Sequence, residues 1–215
     1  MLKRGLAFAL ALVMLASVSV AGATGMEIEK NGQWYTEVSA WAKDGVEKAI
    51  DLGVAYWPSR GDAKTSISRC YFAEDAAAVV ALAYGSDLAA YEGFRVLQLM
   101  RGTGDNQKYA YETLDILRGR GNGDMDFFGD ITRQEAAVML ARAYRIYCDE
   151  IHDDMEPLAY ADKNDIADWA KEDVALITHL GVMNGIGENK FDPKGVYTLE
   201  QCFVTLVRLY EKTAQ

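Results

Sequence analysis

Apolar residues recur at three- and four-residue steps behind a short polar opening at three places in this chain. In DITRQEAAVML (130–140), the positions Ala136, Met139, Leu140 and then Ala143 fall on one helical face. Thr132, with Glu135 three residues on, is a capping-box pattern. The Thr hydroxyl accepts from the Glu135 N–H and the Glu carboxylate reaches back to the Thr132 N–H. The pattern therefore predicts a helix that starts at Arg133. A cation at that first position is out of place, because the helix dipole disfavours positive charge there. The opening returns in SISRCYFAEDAAAVVALAY (66–84) and VYTLEQCFVTLVRLY (196–210). Ile67 and Ile131 are 64 residues apart, and Ile131 and Tyr197 are 66 apart. Near-constant spacing of this kind marks tandem structural units. Thr198 with Gln201 keeps the box, whereas Ser68 keeps the cap but has Tyr71 where the reciprocal partner belongs.

A second amphipathic stretch precedes each opening. SAWAKDGVEKAIDLG (39–53) and DIADWAKEDVALITHLG (165–181) share Trp-Ala, then Val, Ile and Gly. Ser39 and Asp165 read as N-caps, and Gly53 and Gly181 as left-handed helix ends. KYAYETLDILRGRG (108–121) is a degenerate copy. A glycine-rich loop joins the two helices, clearest in MNGIGENKFDPKG (183–195), recognisable in RGRGNGDMDFFGD (118–130) and diverged in AYWPSRGDAKT (55–65). The expected organisation is an N-terminal segment over 24–38 and a first unit over 39–85. A second unit spans 86–147, with a diverged front half in which 86–102 continues as helix. An acidic connector covers 148–159 and a third unit 160–215. Strand signals are nearly absent, so the predicted class is all-α: three tandem helix–loop–helix units.

The first residues change the picture. Lys3 and Arg4 precede an apolar stretch from Gly5 to about Val20, followed by small residues, which reads as a secretory signal peptide over 1–23. No cysteine directly follows that stretch, the first being Cys70, so lipoprotein attachment is not expected, and no later run is apolar enough to span a bilayer. The formal charge of −10 becomes −12 once Lys3 and Arg4 are removed. So acidic a chain is unsuited to nucleic acid or to an anionic membrane surface.

Cys70, Cys148 and Cys202 are too few, and odd in number, for a disulfide framework; Cys70 and Cys202 lie in apolar helical runs and read as buried thiols, with one Cys70–Cys202 bridge as the alternative. His152 and His179 stand alone, without ligand spacing. DKNDIAD (162–168) has Ile166 where a calcium loop needs an oxygen, and GRGNGD (119–124) lacks the Lys-Ser/Thr of a P-loop. No HExxH, GxSxG or Cys–His arrangement is present, so neither an enzyme, a metal nor a cofactor is expected. Trp41 and Trp169 read as core residues of their helices, and Trp34, Tyr35, Tyr56 and Trp57 as candidates for exposed aromatics.

The Trp-Ala helix, the GIGENKFDP loop and the ITRQE helix start occur together and in order, and over the whole mature chain they resemble three S-layer homology repeats. The resemblance implies a pseudo-threefold unit of helices that attaches an exported protein non-covalently to the bacterial cell wall. It implies a secreted protein of the cell wall or S-layer surface. The implied ligand is an anionic secondary cell-wall polysaccharide bearing a pyruvate ketal, or a peptidoglycan-linked polymer, held in grooves between repeats. The Arg of the Thr-Arg motif is the implied contact, which carries over to Arg133, with Thr132 beside it, and to Arg69. Unpaired N–H groups at the helix start would join the Arg fork in gripping a carboxylate. Leu199 holds the matching place in the third unit and cannot bind a carboxylate. That departure keeps a second reading open: an adaptor for other envelope proteins, built from repeats that have lost polysaccharide binding.

Overall fold

The structure, a computed structural model, describes residues 25–55, 60–84, 115–120, 124–148 and 155–213. The signal-peptide reading, the helix expected over 86–102, most of 108–121, Tyr56, Trp57 and His152 lie outside the described residues.

The all-α expectation is overturned at once. The described residues form five α-helices and a three-stranded mixed sheet. Strands β1 (Met26–Lys30) and β2 (Gln33–Val38) pair antiparallel, with Ile28 opposite Tyr35 and Lys30 opposite Gln33. Strand β3 (Arg60–Asp62) runs parallel to β2. The physical reason is the dipeptide Asn31-Gly32, both at positive φ (52° and 78°), as a two-residue hairpin turn requires. Met26, Ile28 and Lys30 alternate with acidic residues on one side of that turn, a strand signal too short to stand out beside the helical runs. The sheet is part of the core: Tyr35 is buried and its ring meets Phe203 edge-on at 5.1 Å.

The helices are α1 (Lys43–Leu52), α2 (Arg69–Tyr84), α3 (Arg133–Tyr147), α4 (Lys171–His179) and α5 (Leu199–Thr213). Helix α2 packs against both α3 and α5, while α1 lies on α5 and α4 on α3. Helix α2 buries Phe72, Ala73, Ala76, Ala77, Val79 and Val80 on several sides, as a central helix must. Helices α1 and α4 are shorter than their sequence pattern suggested. Neither Ser39 nor Asp165 caps them; α1 starts behind a turn at Ala42, and α4 behind a 3-10 turn over Asp168–Ala170. Gly53 (φ 72°) and Gly181 (φ 70°) do end their helices in the left-handed region. Ser39 is instead tethered to α5: its N–H and hydroxyl donate to the Glu200 carboxylate at 2.8 and 3.0 Å. Lys64 pairs with the same buried acid at 2.5 Å.

The three helix openings meet at one place. Ile67 N–H donates to Tyr197 C=O (3.2 Å), Tyr197 N–H to Ile131 C=O (3.1 Å), and Ile131 N–H to Ile67 C=O (3.4 Å). All three residues are buried, and their hydrogen bonds form a closed ring. Phe72 closes on Tyr197 edge-on at 5.4 Å beside it. Among the described residues no helix is long and apolar enough to cross a membrane.

Candidate functional site

Helix α3 starts at Arg133, and the capping box is present in both halves: Thr132 accepts from Glu135 N–H, and Glu135 accepts from Thr132 N–H at 2.9 Å. The Thr132 hydroxyl also donates to Glu135 at 2.8 Å, so this side chain is engaged within the cap. The helix start offers no open amide. Arg133 N–H donates to Gly195 C=O at 3.1 Å and Gln134 N–H to Pro193 C=O at 3.0 Å. The other openings do the same: Arg69 and Cys70 donate to Gly129 and Phe127, and Leu199 and Glu200 to Thr65 and Ala63. The expected pool of unpaired N–H groups is therefore consumed by the loop of a neighbouring segment. Packing between distant segments decides this, and one helix pattern cannot display it.

The arginines behave alike. Arg133 is 4% exposed; its Nε donates to Phe191 C=O and its Nη2 to Asn184 C=O, both at 2.8 Å, and its guanidinium lies 5.1 Å from the Phe191 ring centroid. Arg69 is 3% exposed; its Nη2 donates to Arg118 C=O at 2.8 Å and its Nε to Met125 C=O at 3.4 Å. Both pairs of carbonyls lie 66 residues apart, 118 to 184 and 125 to 191. Each Arg thus clamps a glycine-rich loop further along the chain, which is why a cation is tolerated at the helix start. Burial lowers the pKa of both guanidiniums from the usual value; Glu135 opposes the shift at Arg69, and Tyr197 and Asp192 oppose it at Arg133. An arginine keeps its charge under such shifts.

Two grooves open beside these clamps. The first, of ≈ 530 Å³, is lined by Arg69, Arg118, Gly119, Arg120, Glu135, Val138, Met139, Arg142 and Trp169. The second, of ≈ 480 Å³, is lined by Trp41, Arg133, Met183, Asn184, Gly185, Ile186, Gly187, Gln201, Val204, Thr205 and Arg208. They correspond position by position: Arg69 to Arg133, Gly119 to Gly185, Glu135 to Gln201, Val138 to Val204, and Arg142 to Arg208. Each has one tryptophan from a unit distant in sequence. Trp41 and Trp169, expected in the core, are 58% and 59% exposed and stand at the groove walls. Both lie ahead of their helices, so the helical-face argument that buried them does not apply.

Gly185 forms a groove floor where a Cβ would meet Lys190 O at 2.6 Å and the Tyr160 ring at 2.8 Å. The loop over it is held by Asp162, whose carboxylate accepts from Phe191 N–H (2.9 Å) and Asp192 N–H (2.7 Å). Desolvation works against this carboxylate, but those two donors hold it below the usual Asp range.

The grooves differ in charge balance. In the first, Glu135 Oε1 pairs with Arg69 at 2.7 Å and with Arg120 at 3.2 Å, Arg120 also pairs with Asp126 at 2.7 Å, and Arg118 pairs with Asp115. In the second, neither Arg133 nor Arg208 takes part in any ion pair among the described residues; Arg208 donates only to Val182 C=O, at 3.5 Å. Cys70, Cys148 and Cys202 are free thiols, and burial raises the pKa of Cys70 and Cys202. Among the described residues no group of His, Cys, Asp and Glu could hold a metal ion.

Residues 159–201, which hold the second groove's loop and helix start, match the family model of the S-layer homology domain. Three relatives share parts of the chain. An exoglucanase XynX of Acetivibrio thermocellus is 34% identical over 98 residues, 46% of this chain and 9% of that protein. An amylopullulanase of Thermoanaerobacterium thermosulfurigenes is 32% identical over 83 residues, 39% of this chain and 4% of that protein. An endoglucanase of Bacillus sp. (strain KSM-635) is 29% identical over 116 residues, 51% of this chain and 12% of that protein. The chain spans only a small part of the length of each.

Proposed function

We propose that this chain, which carries an S-layer homology domain over residues 159–201 and is thereby a cell-surface, cell-wall-associated protein, is exported and holds the wall through an anionic, pyruvylated secondary polysaccharide seated in its Trp–Arg grooves. Domains of this family anchor proteins to the cell wall. One observation carries the finer reading: twice in the fold an exposed tryptophan faces guanidiniums across a groove, in a chain whose formal charge is −10. An aromatic face suits the apolar face of a sugar ring, and a guanidinium suits a carboxylate. Local cationic grooves on an acidic protein favour a short-range, site-specific anion over general adhesion to polyanions. In this reading Trp41, Arg133 and Arg208 face the ligand in one groove, and Trp169, Arg69 and Arg142 in the other. Thr132 acts through the cap that fixes the Arg133 backbone. The glycoside-hydrolase activities in the names of the relatives belong to those proteins, and no catalytic role is proposed for this chain.

The test is sedimentation with purified cell walls before and after chemical removal of the secondary polysaccharide. Binding lost with the polymer is the expected result. Exposed Phe128, Ile186 and Val196 favour the second reading, an adaptor for another envelope protein. Binding that survives polymer removal and requires wall-associated protein would select it.

A further inference from the structure

We propose that the N-terminal hairpin is the third clamp of the fold: strand β2 and the Gln33 side chain hold the loop of the first unit against α5, in place of the guanidinium that Leu199 lacks. Three seams close the molecule, each where a helix start docks on a loop. At two of them the Arg backbone N–H reaches Gly129 or Gly195 C=O, and the Arg Nε reaches the carbonyl four residues earlier, Met125 or Phe191. At the third seam Leu199 N–H reaches Thr65 C=O, and four residues earlier stands Gly61. Leu199 is buried and its side chain has no donor. Gly61 is instead the register partner of Tyr35, where β2 runs parallel to β3, and beside it Ala63 N–H donates to Thr36 C=O at 2.9 Å. The second fastening is replaced as well. Nη2 of Arg69 and of Arg133 bonds Arg118 or Asn184 C=O, three residues past a left-handed residue, Asp115 (φ 55°) or Gly181 (φ 70°). In the first unit the left-handed residue is Gly53 (φ 72°), and Gln33 Nε2 donates to Ala55 C=O, two residues past it, at 2.5 Å. The same two stretches of loop are held at every seam, by a guanidinium fork at two and by a strand with an amide at the third. The backbone groups of a buried loop need partners, and an added strand supplies them in series.

Tyr35 fills the space behind this clamp. Seven residues past the cap, Met139 and Thr205 line the two grooves; the counterpart on α2 is Asp75, which is buried. The buried Tyr35 ring meets Phe203 of α5 edge-on. Burial, and after it the Asp75 carboxylate, raise the pKa of its hydroxyl, so Tyr35 lies close to α2 as well. The far end of the hairpin is tied to the same helix start, through Ser39 and Glu200. A segment ahead of the first unit thereby fastens the last unit to the first.

The test is amide hydrogen exchange on the full chain, read at the three helix starts: Arg69 and Cys70, Arg133 and Gln134, Leu199 and Glu200. Gln33→Ala removes one side-chain bond and leaves the hairpin turn and Tyr35 in place. It should speed exchange at Leu199, Glu200 and Ala63 threefold or more, while the other two pairs keep their parent rates. Tyr35→Ala should speed the same three amides tenfold or more beyond any change at the other pairs; if that variant does not fold, Gln33→Ala decides alone. A dispersed amide spectrum establishes folding. Equal acceleration at all three starts in a folded variant, or a Gln33→Ala chain in which Leu199 and Glu200 exchange at the parent rate, would overturn the proposal and leave the hairpin an ordinary part of the core.

Discussion

The groove under Trp169 and the groove under Trp41 are built to one plan and balanced differently. In each, a buried Arg clamps two carbonyls of a loop further along the chain, a glycine lies in the groove lining, and a second, half-buried Arg, Arg142 or Arg208, stands on the helix that carries Glu135 or Gln201. In the first groove Arg69, Arg118 and Arg120 form ion pairs with Glu135, Asp115 and Asp126, while Arg142 donates to Ile116 C=O; in the second Arg133 and Arg208 meet carbonyls and form no ion pair among the described residues. The comparison separates what the Arg position does from what stands beside it. Holding the loop needs only the Arg and backbone carbonyls, so it is common to both. The residue three places after the cap differs: Glu135 pairs with Arg69 and Arg120, whereas Gln201 is a neutral amide.

The coarsest way to break the comparison is to remove one side of it. Deletion of 160–215 takes away α4 and α5, and with them the partners of α1, Ser39, Tyr35 and Thr65. The first groove is expected not to survive alone, and the truncated chain should melt without a cooperative transition; a sharp melt with dispersed amide signals would show the halves to be independent. Next in size, Arg133→Ala removes two charge-assisted bonds and orphans two carbonyls, an expected loss of about 3 kcal/mol. Arg69→Ala should cost less, about 2 kcal/mol, since one of its bonds is long and Glu135 keeps Arg120. Urea midpoints at unchanged m test the ranking, and a loss under about 0.5 kcal/mol at Arg133 would refute the clamp.

The loop clamp has an acidic counterpart, Asp162. Because its folded-state pKa is held below the unfolded value of about 3.9, its contribution is fully present above that pH and is lost as pH falls through the folded value. Asp162→Ala should cost about 1–2 kcal/mol near neutral pH by stranding two N–H donors. Asp162→Asn should flatten the acid limb of the stability profile, and an unchanged limb below pH 4 would exclude this carboxylate. The smallest change in stability is expected at the tryptophans. Trp41→Ala and Trp169→Ala should stay within about 0.5 kcal/mol of the parent, since both rings are largely exposed. In wall-polymer titrations each should lose affinity, since each ring walls one groove; a folded variant that binds as the parent does would remove its groove from the site.

Much of this was legible in the residues. The start of α3, its capping box and the two left-handed glycines follow from patterns confined to a few neighbouring positions, which local physics controls. The misreadings share a cause of the opposite kind. The sheet turns on Asn31-Gly32, a two-residue signal between short strands, one of which bends at a bulge near Met26. Trp41 and Trp169 share the spacing of a helical face in sequence, yet they precede the helices, and boundaries are where periodicity is weakest. The helix starts appear open in sequence and are closed in the fold, because the carbonyls that close them come from segments tens of residues away. The odd cation at each helix start is legible as Arg133 and Arg69, but the loop carbonyls they clamp lie 49 to 58 residues away, beyond the reach of a local pattern.

The ring of backbone bonds between Ile67, Ile131 and Tyr197 also sets a timetable. Ile67 donates to a carbonyl 130 residues further along the chain, so the centre of the core cannot close until Tyr197 is present. Contacts of such long sequence separation make folding slow relative to helix formation. A chain emerging N-terminus first, from ribosome or across a membrane, would carry formed helices with an open centre until Tyr197 arrived. It would then lock in one late step.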